Sequence, residues 1–555
     1  MDSGVIIMEK EKRGLRAYFC SLKRYEKLLL FVNVFVLAAT LFYQMTAANL
    51  YVDSDVAASM LYAEEINRTG SLLPSEWNTN HDVGPFGIGT IAALMLNFTD
   101  SWLTAHAASV AVLILAAAFS IIFMSVKVFR SNMWLVALPM LLCGISYDYD
   151  KFVFSDGAYI FPMIYEFLAL TFFLKGLDEN YCIGSKRWFA AFMIMTVFTG
   201  SYGIRYVQAL EIPILVSLVL YYFFLHCREN DFKFTRENSR PLTTILMVLI
   251  ACAAGFLLFK LLTMRFTFHE GYATLHFSKD VEEMVGGLFT LVCQTARLFS
   301  FDYAGSMMSA EGLITIVRIF FEIILLIVLP ILEIRRFREE RPEIRFLIMF
   351  ALISLLETSA QVALTGFGGT LSGRYLLPAE YVLIMLSAHY AWEHIFCIPN
   401  IMTRFVSMLA VAALAFQPAV KKSMSLVGYE DELAALSETA LFLEKNDLTY
   451  GYATYWNAAI QTMLTDGAVR VNAVEWESDS YERIQGQYWL NSSYYYSEDY
   501  HDSGSFLMLE PKENRLFQRS DSYELLGEPQ DILYFKDLII YIYDYNIAVN
   551  EFSGR

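Results

Sequence analysis

The stretch LLLFVNVFVLAATLFYQMTAANLYVDSD, residues 28–55, decides the class of the fold. Its apolar part, residues 28–50, is long enough to cross the hydrocarbon core of a bilayer, which needs about 20 residues at about 1.5 Å rise each. Directly after it come two carboxylates, Asp53 and Asp55, at the start of a polar loop that runs to Asp82. The pair is therefore predicted at the rim of a membrane domain, in contact with water.

Composition places the rest of the chain in the same class. Of its 555 residues, 56% are hydrophobic and 18% are charged, which is too apolar for a soluble globular protein and typical of a polytopic membrane protein. Most of the formal net charge of −17 falls after Lys421. Residues 421–555 are therefore predicted to form a small acidic α/β domain outside the cytoplasm. That acidity argues against nucleic acid as a partner.

Hydropathy predicts a polytopic α-helical membrane domain of about 11 transmembrane helices, covering residues 28–420. Lys and Arg cluster in alternate connections, beginning with the basic N-terminus at residues 1–27, so that side is predicted to be cytoplasmic. An odd number of spans places the acidic domain on the outer side. Residues 84–96 are apolar but short, and we interpret them as a re-entrant or interfacial helix. The spans are expected at residues 28–50, 104–126, 133–147, 158–174, 188–202, 207–225, 242–264, 313–332, 346–365, 377–396 and 401–420.

Cysteine usage bears on the compartment. The chain has seven cysteines, and none follows Cys397, so the outer domain is predicted to lack disulfide bonds. This pattern favours a bacterial cell envelope over a eukaryotic secretory pathway. The predicted location is a cell membrane, crossed many times.

The first outer loop, residues 51–83, carries the candidate catalytic residues. Asp53 and Asp55 lie two positions apart, and such carboxylates repel one another unless a proton or a divalent cation lies between them. Oxygen ligands of this kind suit Mg²⁺ or Mn²⁺. The alternative is a solvated loop whose acids have no function. His81 and Asp82, in the motif HDVGPFG, are candidate contacts for the substrate or its lipid phosphate.

A second acidic patch lies in the next outer loop, GISYDYDKFVFSDGAY, residues 144–159. It contains Asp148, Asp150 and Asp156, and its position allows it to face the first loop across a cleft. Asp156 is then a candidate third metal ligand beside the aspartates of the first loop. Alternatively, Asp148 and Asp150 end a helix or pair with Lys151.

Two arginines stand on the outer side, where the positive-inside bias disfavours them. Arg205 lies in GSYGIRYVQALEIP and Arg374 in GGTLSGRYLLPAEY, each at the outer end of a span beside a tyrosine. A guanidinium group is always charged, and its planar fork matches a phosphate. Arg205, Arg374 and Tyr375 are therefore predicted to hold the phosphate or pyrophosphate of a leaving group. The alternative is structural pairing with nearby acids such as Glu211 or Glu380.

Together these motifs resemble a known class of enzymes. The chain resembles the GT-C class of integral-membrane glycosyltransferases. The resemblance lies in an N-terminal span, an outer D-x-D loop followed by HDVGPFG, GIRY at a mid-chain span, RYLLP before a late span and a soluble C-terminal domain. Members of this class include protein mannosyltransferases, aminoarabinose transferases and many bacterial envelope transferases. The chain departs from the Asp-Glu pair of the mannosyltransferase-like members, because Val56 follows Asp55.

The resemblance implies an activity and a site. A sugar would move from a polyprenyl-phosphate donor to a hydroxyl of an envelope glycan, lipid or protein, on the outer face of the membrane and with inversion at the anomeric carbon. In this class an acidic residue of the first outer loop acts as general base or metal ligand, which corresponds here to Asp53 or Asp55.

Two other functions fit the same composition. Ionisable residues at or inside the spans are costly there and often functional, so a transporter or flippase of lipid-linked precursors is one alternative; these residues are Glu166, Lys260, Glu322, Glu357 and His389. A non-catalytic envelope scaffold would instead bind its partners through the acidic domain. Aromatic residues of that domain could stack on the sugar rings of an acceptor or pack in the core; they are Tyr455, Trp456, Trp476, Trp489, Tyr494, Tyr495 and Tyr496.

Overall fold

The computed structural model shows a chain dominated by apolar helices. It describes residues 20–47, 52–79, 87–143, 146–229, 240–264, 267–268, 277–278, 280–299, 308–365, 372–398, 400–411, 431–477, 481–497 and 499–548. Within these ranges five helices are long and apolar enough to cross a membrane: Arg24–Thr46, Trp102–Phe129, Ile204–Phe223, Arg240–Thr263 and Pro342–Leu364. The chain is therefore a polytopic helical membrane protein. Shorter or interrupted helices occupy the other expected spans, and the number eleven stays a prediction.

The helices follow one another in this order: α1 (Arg24–Ala47), α2 (Ser54–Thr69), α3 (Ile88–Met95), α4 (Trp102–Met124), α5 (Trp134–Leu142), α6 (Tyr147–Tyr149), α7 (Ile160–Gly176), α8 (Lys186–Gly200), α9 (Ile204–Tyr206), α10 (Ile212–Glu229), α11 (Arg240–Thr263), α12 (Val281–Leu298), α13 (Ala310–Ile323), α14 (Leu329–Arg335), α15 (Pro342–Leu364), α16 (Leu377–Ala391), α17 (Asp431–Lys445), α18 (Tyr455–Leu464), α19 (Pro511–Phe517) and α20 (Asp521–Leu526). A further apolar helix covers Ile401–Val411.

Short non-α segments adjoin several of these helices. The π-helical ones are Ser125–Phe129, Asp150–Ser155, Val207–Glu211, Ile324–Val328 and Trp392–Phe396, and the 3₁₀ ones are Ser372–Leu376 and Ser493–Tyr496. Single π-helical turns are frequent at functional sites. The strands are β1 (Trp77–Thr79), β2 (Thr267–Phe268), β3 (Tyr450–Thr454), β4 (Arg470–Trp476), β5 (Ile484–Gly486), β6 (Asn491–Ser492), β7 (Ser505–Leu509), β8 (Asp531–Phe535) and β9 (Leu538–Tyr543).

The chain divides into two compact units. We call the first the membrane unit; it comprises Met1–Tyr43, Val112–Phe259 and Ala273–Met424. The second, the sheet unit, comprises Gln44–Ala111, Lys260–Tyr272 and Ser425–Arg555. The first predicted loop therefore belongs to the same unit as the C-terminal residues, a grouping that hydropathy along the chain does not indicate.

Close helix contacts in the membrane unit depend on small residues. A Cβ on Gly255 of α11 would lie 3.0 Å from the Gly200 Cα of α8, so the two backbones meet directly. Small residues at helix contacts are a common way to pack helices in lipid, where the hydrophobic effect between helices is weak.

The sheet unit is built on a six-stranded mixed sheet in the order β5-β4-β3-β7-β9-β8. Strand β3 pairs in parallel with β4 on one side and with β7 on the other, while the outer pairs are antiparallel. Helix α18 connects β3 to β4, as parallel pairing requires a crossover. Alternating residues of these strands form two apolar cores. One core includes Tyr452 and Leu507, and the other includes Val471 and Phe506.

The first loop is integrated into this unit through a core and a second sheet. Apolar residues of α2 pack with α3, the start of α4 and α18, and Met60, Ala92, Trp102 and Ile460 belong to one buried cluster. Strand β1 pairs antiparallel with β6 and in parallel with β2. The segment interpreted as re-entrant or interfacial is observed as the eight-residue helix α3, part of which is buried against α2.

Candidate active site

Asp53 is the N-cap of α2. Its backbone is extended, and its Oδ1 accepts hydrogen bonds from the backbone N–H groups of Asp55 and Val56, each at 3.1 Å. A carboxylate at this position satisfies N–H groups that the helix leaves unpaired and interacts favourably with the helix dipole. The observed role of Asp53 is therefore to begin the helix.

Asp55, in the first turn of α2, has a different partner. The Tyr455 hydroxyl donates a hydrogen bond of 2.6 Å to Asp55 Oδ1, and Ser54 Oγ donates one of 2.6 Å to the backbone carbonyl of Tyr455. The Tyr455 ring lies 5.0 Å from the ring of Trp489. Asp55 is thus a half-buried carboxylate held in place by a neutral donor from the C-terminal part of the chain.

Tyr455 stands at a place in the sheet where ligands commonly bind. The chain runs from β3 to β4 on one side and later returns to β7 on the other side of β3, so the strand order reverses there. In open α/β sheets, ligands bind at the carboxyl ends of the strands where this reversal occurs. Tyr455 directly follows β3, and Glu510 directly follows β7. The Asn457 amide donates a 3.0 Å hydrogen bond to Glu510, and the neighbouring Trp456 is 60% exposed.

Other carboxylates of the first loop are neutralised inside the sheet unit. Glu64 forms an ion pair with the buried Arg470. Burial would lower the pKa of Arg470, but the Glu64 carboxylate raises it, and the net shift is upward. Glu65 is fully buried and accepts two hydrogen bonds from Arg68, at 2.8 and 2.6 Å, and a third from Ser492 Oγ at 3.0 Å. Glu64 thus connects the loop to β4, and Glu65 connects it to β6.

The two predicted arginines come together in the membrane unit around Tyr159. The Arg205 guanidinium lies 5.6 Å from the centre of the Tyr159 ring. The Arg374 guanidinium lies 5.1 Å from the Phe152 ring and 5.4 Å from the Tyr375 ring. Burial would lower the pKa of Arg374, whereas Tyr159 and Tyr375 raise it enough for a net rise, and Arg205 is close enough to oppose that rise. We call these five residues the arginine cluster.

Local structure fixes the position of Arg374. It belongs to the 3₁₀ segment Ser372–Leu376, which precedes α16. A Cβ on Gly373 would lie 2.5 Å from the backbone carbon of Gln294 in α12, so only glycine allows this close approach. Arg374 Nε is buried and has no hydrogen-bond partner among the described residues. A buried guanidinium with an unused N–H group can bind an anion.

Within the described residues, Glu211 and Glu380 are not seen as the ion-pair partners of the two arginines. Glu211 accepts a 3.3 Å hydrogen bond from Thr199 Oγ1 instead of pairing with Arg205. No ion pair joins Arg374 to Glu380 among the described residues, and one Glu380 oxygen is buried without a hydrogen-bond partner there. The aromatic rings of the arginine cluster, Phe152 and Tyr159, were not predicted; the alternation of aromatic residues with aspartates in residues 147–159 was the signal available.

The remaining predicted site residues have separate positions. Asp156 lies in the membrane unit, directly after the π-helical segment Asp150–Ser155, and its backbone N–H donates to the Lys151 carbonyl at 2.8 Å. Asp148 Oδ2 lies 3.7 Å from Arg297 Nε of α12. His81 and Asp82 lie outside the described residues.

Comparison with known proteins finds a likeness in fold only. No protein-family model matches the chain, and no curated protein matches it. Among solved structures, the crystal structure of ArnT from Cupriavidus metallidurans in the apo state superposes with a TM-score of 0.52 and 10% sequence identity, over 92% of this chain and 97% of that one. The same protein bound to undecaprenyl phosphate gives 0.51, again with 10% identity and the same coverage. The chain therefore has the fold of ArnT, and the resemblance to the aminoarabinose transferases that its motifs predicted is confirmed for the fold.

Proposed function

We propose that this chain is a membrane glycosyltransferase that moves a sugar from a polyprenyl-phosphate donor to a hydroxyl of a cell-envelope acceptor. The arginine cluster carries the proposal. Its guanidinium groups are placed by aromatic rings, and Arg374 has a buried N–H group without a partner among the described residues. The likeness in fold to a protein crystallised with undecaprenyl phosphate adds support.

Arg205 and Arg374 would bind the lipid phosphate. When the bond between sugar and phosphate breaks, negative charge develops on the departing phosphate, and fixed positive charge stabilises it. The nearby aromatic rings fit an anion held beside a lipid chain, because they keep water away and strengthen the electrostatic interaction. Tyr375 completes the set, since its ring lies 5.4 Å from the Arg374 guanidinium.

Asp55 is the proposed general base. It would accept the proton of the acceptor hydroxyl while that oxygen attacks the anomeric carbon, so that one direct displacement inverts the configuration. The Tyr455 hydrogen bond fixes the carboxylate in one orientation. Asp53 is less suited to this role, because its Oδ1 is engaged with two backbone N–H groups.

The exposed ring of Trp456 and the polar pair Asn457 and Glu510 give the acceptor a place to bind. Sugar rings stack on aromatic faces, and their hydroxyls bind amides and carboxylates. These residues lie at the carboxyl ends of β3 and β7, next to Tyr455. Tyr495 and Tyr496 are buried and belong to the packing of the unit instead.

The predicted Mg²⁺ or Mn²⁺ remains a separate proposal for the aspartates. Asp53 Oδ1 accepts hydrogen bonds from backbone N–H groups and Asp55 Oδ1 accepts one from Tyr455, which is a weak fit to a shared cation. We therefore derive no step through a metal. Transfer measured with EDTA and with added Mg²⁺ or Mn²⁺ tests this point directly.

The function is tested by transfer of radiolabel from a panel of polyprenyl-phosphate sugars in membranes that contain the chain. The wild type should transfer label from at least one donor, and Arg374→Gln at equal expression should transfer far less. If no donor in a broad panel gives transfer, the glycosyltransferase assignment is wrong. Movement of a lipid-linked precursor across vesicles without transfer would instead favour the flippase alternative.

A further inference from the structure

Three side chains of metal-ligand type meet in the membrane unit, away from the arginine cluster. They are Glu333 in α14, Glu340 between α14 and α15, and His389 in the last turn of α16. One ligand atom from each lies within 4.8 Å of the others. Arg374 precedes α16, and His389 lies about 18 Å further along that helix axis at 1.5 Å per residue. The cluster is therefore distinct from the proposed phosphate site.

The distances in this cluster are those of ligands around a common ion. His389 Nε2 lies 3.9 Å from Glu333 Oε1 and 3.6 Å from Glu340 Oε2. A hydrogen bond between nitrogen and oxygen spans about 2.7–3.2 Å, so both separations are too long for one. Two ligands that bind one tetrahedral cation, each at about 2.1 Å, lie about 3.4 Å apart.

Burial gives a second, independent reason to expect a cation. The Glu333 side chain is 0% exposed, and neither of its oxygens has a hydrogen-bond partner among the described residues. A buried carboxylate that accepts no hydrogen bond is strongly unfavourable. The described ion pairs of Arg336 are with Glu339, at 3.0 Å, and with Glu340, at 3.7 Å. Arg336 therefore pairs directly with Glu339 and Glu340, and the described ion pair of Glu333 is the long contact with His389.

We propose that Glu333, Glu340 and His389 bind one divalent cation of the first transition row. The ligands are Nε2 of His389 and one oxygen from each carboxylate. Imidazole together with carboxylates suits Zn²⁺ or Mn²⁺, whereas Mg²⁺ and Ca²⁺ prefer oxygen ligands alone. The cation joins α14 and the following connection to the end of α16, so its role is to stabilise the membrane unit.

Metal analysis of the full-length purified protein tests the proposal. Wild-type protein purified without added metal should contain close to one equivalent of Zn²⁺ or Mn²⁺ by mass spectrometry. Removal by a chelator should lower the melting temperature, and titration with Zn²⁺ or Mn²⁺, but not Mg²⁺, should restore it. A wild type that contains no such metal and whose melting temperature does not respond to Zn²⁺ or Mn²⁺ overturns the proposal.

Matched variants locate the site. Glu333→Gln and His389→Gln should weaken Zn²⁺ binding at least tenfold, because loss of an outer-shell partner of a ligand alone costs roughly 10–100-fold. Glu339→Gln changes a neighbouring exposed carboxylate and should bind Zn²⁺ like the wild type. Equal binding by Glu333→Gln and wild type would contradict the assignment. If the variants do not fold, the wild-type titration alone decides.

Discussion

Charged side chains have different surroundings in the first loop and in the arginine cluster. In the loop, Glu64 and Glu65 are each paired with an arginine of the same unit. In the arginine cluster, Arg374 contacts aromatic rings, and its Nε is buried without a partner in the described residues. Charges that are neutralised within the protein hold its structure together, whereas a buried N–H group that no described residue engages is available to a ligand. Asp55 differs from these two acids in that a neutral hydroxyl, that of Tyr455, donates a hydrogen bond to it.

The largest expected effect is that of Asp55→Asn. The amide oxygen can still accept the Tyr455 hydrogen bond, but it cannot take a proton, and loss of a general base lowers the rate about 10²–10⁴-fold. Label transfer from the best donor, measured at equal expression, should fall within that range. Label transfer by Tyr455→Phe should decrease less, because this variant loses only the hydrogen bond that orients the Asp55 carboxylate. If Asp55→Asn transferred label at the wild-type rate, the role of Asp55 would be structural, like that of Glu64 and Glu65.

Arg374→Gln should have the next largest effect. A preorganised hydrogen-bond donor to a developing anion contributes about 10²–10³-fold to the rate. Label transfer by Arg374→Gln should therefore decrease by about 10²-fold. Binding of undecaprenyl phosphate, measured by quenching of intrinsic fluorescence, should weaken in parallel. If Arg374→Gln lowered the melting temperature but left both transfer and binding per folded molecule unchanged, the residue would be structural, like Arg68 and Arg470.

Glu65→Gln tests the structural side of the comparison. Removing one member of a buried ion pair costs about 3–5 kcal/mol, and partial exposure of Arg68 reduces that to about 2–3 kcal/mol. The variant should therefore lower the melting temperature of the sheet unit and make it more sensitive to protease. Transfer per folded molecule should change little. A loss of transfer without a loss of stability would place Glu65 in the site.

Substitutions of Asp53 should have the smallest effect, and they separate its role from that of Asp55. Asp53→Ala removes the helix cap and should cost about 1 kcal/mol of stability, while Asp53→Asn keeps a good cap and should cost very little. Asp53→Asn should also retain transfer, in contrast to Asp55→Asn. Equal losses of transfer in both asparagine variants would show that the two aspartates act together, as a shared cation would require.

The sequence predicts those features that depend on local pattern. Long apolar stretches predict helices, and the observed α1 and α11 begin and end within four residues of the expected spans. The two arginines were identifiable because their location is unfavourable for Lys and Arg, and the structure places them in one cluster. Helix α12 was not predicted, because its apolar residues alternate with polar ones along an amphipathic helix rather than forming a continuous apolar run.

Long-range partners could not be predicted in the same way. The hydrogen bond between Tyr455 and Asp55 joins residues 400 positions apart, and neither residue carries a local signal for the other. The two-residue strand β6 is likewise defined only by its pairing with β1. The shared cation that the D-x-D pattern indicates for Asp53 and Asp55 stays a prediction.

The pairing of β1 with β6 also orders the events of biosynthesis. Asn78 binds the backbone of Asn491, which the ribosome adds 413 residues later, after about 20–80 s at usual rates of synthesis. Throughout that interval the first loop lacks the arginine and serine partners of Glu64 and Glu65 that come from β4 and β6. A nascent chain of this protein therefore keeps an incomplete first loop until translation is almost finished.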